Sequence, residues 1–390
     1  MKIRIMTLNA WGLPAGLARE TPERMRAIGD RLGALGADLI ALEEIWTASS
    51  RALLLKAAQT AGFPHVWHRS RSFGGSGLLL LSRWPIREAR FTPFMAAGLP
   101  QRIHHGDFWG GKGFVCATVE TPAGSLLWVA THLHAGYVEP GEADEYVGVR
   151  TAQIIEIASE LRDARQPLVL VGDLNFREDE AEHGLLGGLT GLRDAALLTG
   201  NRAPTLPAGG AYREPSEAAQ RIDYVMLRSG ADEALEVSHL ETVLTGAPPA
   251  PSEARGYSDH VGLMAEIEMG SLPVNPGADL PDMSMLTEIA RKQIALGQGH
   301  ARTRRRREAL TVGAWIALAV ALSWGASAVS TAGLHAVLLG ASQLTFLAAG
   351  VWGGLCGWGA FRERLGNRHA KAQLMALKTS SNARDTFRAP

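Results

Sequence analysis

The sequence predicts an α/β domain over residues 1–268 followed by an apolar two-helix hairpin. Three observations predict it. Runs rich in β-branched residues and leucine alternate with helix-like stretches up to about residue 268. Run after run in that region ends on a polar residue, which places such residues on one rim of a sheet sandwich. From Ala309 to Phe361 the chain contains no Asp, Glu, Lys or Arg. A chain of 390 residues with 46% hydrophobic content has room for one large core and a smaller appendage.

Strands are predicted over Ile3 to Asn9, Leu39 to Ile45, Gly77 to Ser82, Gly113 to Glu120, Leu126 to His132, Leu168 to Asp173, Ile222 to Leu227 and Val261 to Glu268. Helices are predicted over Pro22 to Leu35, with Thr21 as N-cap and proline in the first turn, and over about Glu142 to Asp163. MKIRIMTLNAWGLP reads as the first strand and not as a secretory signal, because Arg4 interrupts a short apolar stretch. Cys116 and Cys356 suggest neither a disulfide framework nor a thiolate metal site.

Residues 269–308 read as a linker, Gly270 to Asp282 with Pro273, Pro276 and Pro281, and then a basic juxtamembrane helix from Ser284 to about Gln298. One spanning helix needs about 20 apolar residues, so residues 309–361 accommodate two crossings, divided near Ser330, Thr331, Gly333 and His335. Arg302 and Arg304 to Arg307 precede the hairpin, and Arg362, Arg364, Arg368 and Lys371 follow it. The positive-inside rule then makes both flanks cytoplasmic, with residues 362–390 a basic cytoplasmic tail. Each leading arginine adds up to ~1 kcal/mol of attraction to anionic lipids. Gly350, Gly353, Gly354 and Gly357 would permit close helix packing and homo-oligomers.

Lys plus Arg and Asp plus Glu each total 39, so the chain lacks the basic excess of a duplex nucleic-acid binder, and no nucleic-acid partner is expected. The polar strand-end residues suit the hydrolysis of a phosphate diester, which needs a cation, an activated water and donors for developing charge. They are Asn9, Glu44 in DLIALEEIW, His132 in THLHA, Asp173 and Asn175 in VGDLN, Asp223 in RIDYV, and Asp259 with His260 in YSDH. Glu44 with Asn9 and Asp259 is an adequate oxygen set for Mg2+, with Mn2+ an alternative. Asp173 and Asn175, two apart in an extended segment, point to one side, and His132 and His260 suit acid and base roles. Trp11 and Trp46 lie beside two of these motifs and suit either core packing or a cation-π contact with a ligand.

The ordered series Asn, Glu, His, Asp-x-Asn, Asp, Asp-His resembles the endonuclease/exonuclease/phosphatase superfamily over about residues 1–268. Within it the chain looks like the membrane-anchored neutral sphingomyelinases, through LNAWGLP, EEIW, GSGL followed by a Ser and Trp-Pro turn, HHGD ahead of a lysine, THLHA, GDLN, RIDYV and SDH. The resemblance implies a four-layer α/β sandwich, two mixed β-sheets flanked by helices, and a Mg-dependent sphingomyelin phosphodiesterase that releases ceramide and a phosphorylated headgroup. It implies that Glu44 binds magnesium with Asn9 nearby, that His260 activates water with Asp259 in support, and that His132, oriented by Asp223, serves the opposite side. Asp173 and Asn175 would position water and phosphoryl oxygens, and Asp107 and Lys112 would form a switch pair at the substrate phosphate. Glu43 stands where many relatives have Gln.

GDLNFR also resembles the phosphoinositide 5-phosphatase motif, but SEARGYSDHVGL lacks that branch's Pro-x-Trp-x-Asp-Arg. A nuclease would share the metal site. The lipid headgroup stays open, with a lysophospholipid or another phosphosphingolipid as alternatives to sphingomyelin.

Overall fold

The computed structural model describes residues 1–14, 16–69, 75–137, 144–270 and 282–388, with side chains to residue 380. Among these residues twelve strands form, β1 Lys2–Asn9, β2 Leu39–Glu43, β3 His65–His68, β4 Leu79–Ser82, β5 Ile86–Pro93, β6 Gly113–Thr121, β7 Gly124–His132, β8 Leu168–Asp173, β9 Arg193–Asp194, β10 Asp223–Arg228, β11 Ala234–Val243 and β12 Gly262–Gly270. The α-helices are α1 Thr21–Arg31, α2 Ala48–Thr60, α3 Asp107–Gly110, α4 Val147–Leu161, α5 Ala181–Thr190, α6 Ala195–Thr199, α7 Met283–Ser327 and α8 Ala332–Arg388.

The strands make two six-stranded sheets, ordered β11-β12-β1-β2-β4-β3 and β5-β6-β7-β8-β10-β9. Each is mixed, since β1 runs parallel to β2 and β7 parallel to β8 while their other pairings are antiparallel. Alternation along the strands divides the core into three layers. Ile3 and Ile5 of β1 face Val169 and Val171 of β8 and Trp128 and Ala130 of β7 between the sheets. Met6 and Leu8, on the other face of β1, pack with Met25, Ile28 and Leu54 of α1 and α2. Leu168 and Leu170 of β8 pack outward with Ile154, Ile155 and Ile157 of α4, Leu185 and Leu186 of α5, and residues of α7 and α8. Helix, sheet, sheet and helix therefore stack as the predicted four-layer sandwich.

Several boundaries move for local reasons. The second strand ends at Glu43 and not at Ile45, because Glu44 takes a left-handed φ of 61°. Thr21 is the first residue of α1 and not its N-cap, since its hydroxyl donates to Leu13 O and Glu20 precedes it with a φ of 54°. Strands β3, β5, β9 and β11 and helices α2, α3, α5 and α6 are not among the predicted elements, and the exposed edge strand β5 lacks a continuous apolar run. The prolines at 273, 276 and 281 lie outside the described residues.

The predicted juxtamembrane helix is one continuous helix with the first apolar span, and it docks on the domain. Leu286, Ala290 and Ile294 of α7 are buried in the outer core layer. Gly297 meets Gly148 of α4 so closely that a methyl group on Gly297 would lie 2.9 Å from the Gly148 Cα. Residues following the second span stay helical too, and Ala370, Leu374 and Leu377 of α8 join the same layer. Helices α7 and α8 are both long and apolar enough to cross a membrane, and they break where expected, between Ser327 and Ala332. Arg304 and Arg305 turn their charge inward, at 2.9 and 2.8 Å from Glu363 Oε2. Gly350, Gly354 and Gly357 have open space around them, whereas Gly353 faces Val312.

Candidate active site

Four of the predicted polar residues extend the inward-facing apolar rows by one step each, onto the rim of the sandwich. Asn9 continues the row of Ile3, Ile5 and Thr7, and His132 continues Leu126, Trp128 and Ala130. Asp173 follows Val169 and Val171, and Asp223 precedes Val225 and Leu227. Sheet register then sets them side by side, His132 opposite Asp173 across β7 and β8, and Asp223 opposite Asp173 across β8 and β10. The same row places Glu43 opposite Asn9 across β1 and β2.

Loops bring in the rest. The left-handed turn at Glu44 swings its carboxylate off the strand direction, and Asn9 Nδ2 donates to both Glu44 Oε1 (3.0 Å) and Asp173 Oδ2 (2.9 Å). The Asn9 amide oxygen accepts from Trp11 N, so Asn9 acts in this arrangement as a bridge between two carboxylates. His260 Nδ1 lies 2.8 Å from Asp223 Oδ2, and its Nε2 lies 3.9 Å from Asp173 Oδ2. Nδ1 facing a carboxylate carries the proton, which leaves Nε2 turned toward the cluster. His132 Nε2 lies 3.3 Å from Asp173 Oδ2, 4.0 Å from Glu44 Oε1 and 2.8 Å from Lys112 Nζ. Lys112 pairs with Asp107 Oδ1 at 2.5 Å and donates to Leu133 O, while the second Asp107 oxygen accepts from Ala135 N.

Two expected pairings are corrected. Asp223 orients His260 and not His132, because β10 lies beside β8 with the YSDH loop above it; among the described residues the buried His132 Nδ1 has no hydrogen-bond partner. Asp259 does not hold its neighbouring histidine but sits 3.0 Å from Ser258 Oγ, which also reaches Asn9 O. The expectation that Asp173 and Asn175 share one side of an extended segment fails as well. Asn175 takes a φ of 52°, and its Nδ2 donates to Leu133 O. It stays near the cluster through its backbone N–H, which donates to Asp173 Oδ1.

Burial and mutual charge set the protonation states. Burial raises the Asp173 pKa, but His132 and His260 beside it outweigh that and hold it below the usual carboxylate range. Burial depresses His260, yet Asp223, Asp259 and Asp173 outweigh it and raise its pKa well above the ordinary value. Asp223 itself is raised, chiefly by burial and also by Asp173. Burial favours a neutral Asp107, while Lys112, His134 and His132 pull it down to about 2, so Asp107 is ionised at neutral pH. Glu43 is fully buried, accepts from Thr7 Oγ1 at 2.7 Å and is pushed well above the carboxylate range, first by burial and then by Asp223 and Asp173.

The donor set fits a divalent cation. One ligand atom from each of Asp173, Asp223 and His260 lies within 4.8 Å of the others, and all three side chains are buried. Glu44, bridged to Asp173 by Asn9, adds a further carboxylate, so hard oxygen donors dominate and suit Mg2+ or Mn2+ better than a thiophilic metal. The cluster therefore differs from the expected set of Asn9, Glu44 and Asp259 by drawing in the two strand-end aspartates.

Two further features were only weakly visible beforehand. His134 lies 3.4 Å from Asp107 Oδ2 and stacks on Tyr146, and its spacing from His132 in THLHA is its one sequence signal. Trp46 covers Gly77 and Gly110, so the residue two after Glu44 touches the segment that carries Asp107 and Lys112. Trp11 instead packs on Arg24 and Tyr212.

Residues 6–260 match the family described as Endonuclease/Exonuclease/phosphatase. The chain is 30% identical over 323 residues to sphingomyelin phosphodiesterase 2 of Homo sapiens, covering 77% of this chain and 74% of that protein. It is 28% identical to the inositol phosphosphingolipids phospholipase C of Schizosaccharomyces pombe, over 50% of this chain and 46% of that one. Its fold matches a beta toxin variant from Staphylococcus aureus crystallised with bound magnesium ions, at a TM-score of 0.53 and 18% identity, covering 68% of this chain and 99% of that chain. With the rim cluster and the four-layer sandwich, these likenesses make the chain a neutral sphingomyelinase-like hydrolytic phosphodiesterase, a member of the endonuclease/exonuclease/phosphatase family.

Proposed function

We propose that the protein hydrolyses a phosphosphingolipid, with sphingomyelin the first candidate, to ceramide and a phosphorylated headgroup at the membrane that α7 and α8 cross. The observation that carries this reading is the placement of His260–Asp223 and Lys112–His132 about one shared carboxylate, Asp173. Such an arrangement offers a base on one side of a phosphate and cationic donors on the other. In its neutral form, which a cation offsetting the surrounding carboxylates would favour, His260 Nε2 removes a proton from water while Asp223 holds the Nδ1 proton and stabilises the imidazolium. The water oxygen bonds to phosphorus, the bond from phosphorus to the ceramide oxygen breaks, and His132 with Lys112 stabilises or protonates that oxygen. Asp173 and Asn175 hold water and phosphoryl oxygens in line, and Asp107 holds Lys112 in place through their ion pair. When bound at Glu44, with Asn9, Asp259 and the strand-end aspartates about it, Mg2+ supplies positive charge to the phosphoryl oxygens.

Both basic flanks of the hairpin lie on the cytoplasmic side in this reading, with the catalytic domain and the C-terminal residues. Arg302, Arg306, Arg307, Arg364, Arg368 and Lys371 would face anionic lipids, and Gly350, Gly354 and Gly357 would face a second copy or lipid. The test is Mg-dependent release of phosphocholine from sphingomyelin by the detergent-solubilised protein. Phosphatidylcholine, lysophosphatidylcholine, a phosphoinositide and plasmid DNA are run in parallel. Release from sphingomyelin that disappears with chelator and with His260→Ala is expected. Turnover of the phosphoinositide or DNA alone would overturn the substrate.

A further inference from the structure

The segment between β5 and β6 carries Asp107 and Lys112, and helices grip it along its length. At its start, both carboxylate oxygens of Glu156 on α4 accept backbone N–H groups, from Met95 and Ala96, and Gln153 Nε2 donates to Ala96 O. On the other side lies α8. A methyl group on Gly366 would sit 2.8 Å from the Ala96 Cα. One on Gly359 would sit 2.6 Å from Gln101 Oε1 and 3.0 Å from Pro100 Cδ. Trp358 packs edge-on against Phe108 and Trp109, with ring centroids 4.9 and 5.7 Å apart. Helix α7 adds Glu308, which accepts from Gln101 Nε2 at 2.8 Å. Trp109 Nε1 then donates to Pro100 O, which ties α3 to the gripped stretch. A cavity of about 290 Å³ separates this stretch from α8, and Lys112, Phe108, Trp358 and Arg362 line it together.

We propose that α8 positions the active site, with Trp358, Gly359 and Gly366 holding residues 94–112 so that Lys112 and Asp107 meet His132. This rests on the reading of Asp107 and Lys112 as substrate-handling residues. The apolar hairpin is then part of the catalytic unit and not a tether from which an independent enzyme hangs. Trp358 and Gly359 lie inside the uncharged run of residues 309–361 and Gly366 one helical stretch beyond it, so the grip straddles the end of the second span. A shift of α8 in its membrane displaces the Asp107–Lys112 segment directly. Displacements near 1 Å at a catalytic group cost up to about a hundredfold in rate.

The experiment uses the full chain in detergent and a short-chain sphingomyelin kept below its micellar concentration, so that membrane partition does not enter. Gly359→Leu and Gly366→Leu are compared with Gly354→Leu, whose site on the same helix is open. Expected is a fall in kcat of about tenfold or more for the first two, with KM changed less and Mg2+ affinity by calorimetry unchanged. Gly359→Ala, which has mainly to move the end of Gln101, should recover most of the rate. Amide exchange over residues 94–112 should rise in the leucine variants while β1, β7, β8 and β10 stay protected. Leucine variants that turn over and exchange like Gly354→Leu would overturn the proposal. If exchange rises in those core strands as well, Trp358→Ala, which removes volume and inserts none, decides by the same two readouts. A wild-type protein inactive on the sphingolipid would overturn the substrate alone, and exchange at residues 94–112 would still decide the role of α8.

Discussion

Replacing Asp223 by Asn tests the centre of the proposed chemistry. Its Oδ2 accepts from His260 Nδ1 at 2.8 Å in a site where both side chains are buried, and its other oxygen has no partner among the described residues. A hydrogen bond to a charged group contributes about 1.5–3 kcal/mol, and each ~1.4 kcal/mol is tenfold in rate. Loss of imidazolium stabilisation alone therefore predicts a ten- to hundredfold fall in kcat. If the new amide turns its NH2 toward Nδ1, the imidazole must adopt the other tautomer and Nε2 loses its lone pair, as when the aspartate of a serine-protease triad is replaced; the fall then approaches about 10⁴. The assay is phosphocholine release at saturating Mg2+ across pH, with Mg2+ affinity measured separately by calorimetry. Asp223 also belongs to the candidate cation cluster, and the two measurements separate its roles. A rate loss that excess Mg2+ fully restores would make it a ligand and not an orienting partner. An Asp223→Asn enzyme within about threefold of wild type at every pH would refute the dyad.

Two further outcomes are expected. Glu44→Ala should abolish turnover while leaving membrane insertion and thermal unfolding intact, because the left-handed turn puts this carboxylate on the rim and outside the core; residual turnover with unchanged Mg2+ dependence would sink the assignment. Glu156 is pushed up to about 7, first by burial, against the pull of its two backbone donors and Arg362. The native state therefore holds its proton between the ordinary carboxylate range and about pH 7 while the unfolded chain has lost it, so stability falls as pH rises through that window. The full shift corresponds to an upper bound of about 3 kcal/mol. Thermal unfolding at pH 5 and pH 8 should show a smaller difference in Glu156→Gln than in wild type, and an equal difference would refute the assignment.

The sequence made the central strands and their terminal polar residues legible, because strands buried on both faces read as continuous apolar runs and the first polar residue marks where burial stops. That logic located Asn9, His132, Asp173 and Asp223 together, and their two-residue alternation would even have assigned all four to one face. It could not say which histidine Asp223 meets. That depends on β10 pairing with β8 from the far side, a contact between residues separated by tens of positions. Nor could it foresee Asn175, since nothing in VGDLN distinguishes an extended residue from one with φ of 52°. Glu43 and Glu44 differ in the same way: one continues the pleat into the core, and the other leaves it at a positive φ.

The hairpin shows a different limit. Its 53 uncharged residues are unmistakable in the sequence, yet composition describes a segment's solvent and says nothing of its docking. Besides the buried apolar side chains of α7 and α8, glycines bring these helices close to the domain, at Gly148 against Gly297, Gly359 against Pro100 and Gln101, and Gly366 against Ala96. Glycines inside helices carry a propensity cost of about 1 kcal/mol each, and backbone approach offsets it only where a partner is present. Gly359 and Gly366 are seven residues apart, two helical turns on one face, and both meet the segment that leads to Asp107. Gly350, Gly354 and Gly357 have no such partner among the described residues. One face of α8 thus meets the segment that leads to Asp107, while Gly350, Gly354 and Gly357 present open surface among the described residues.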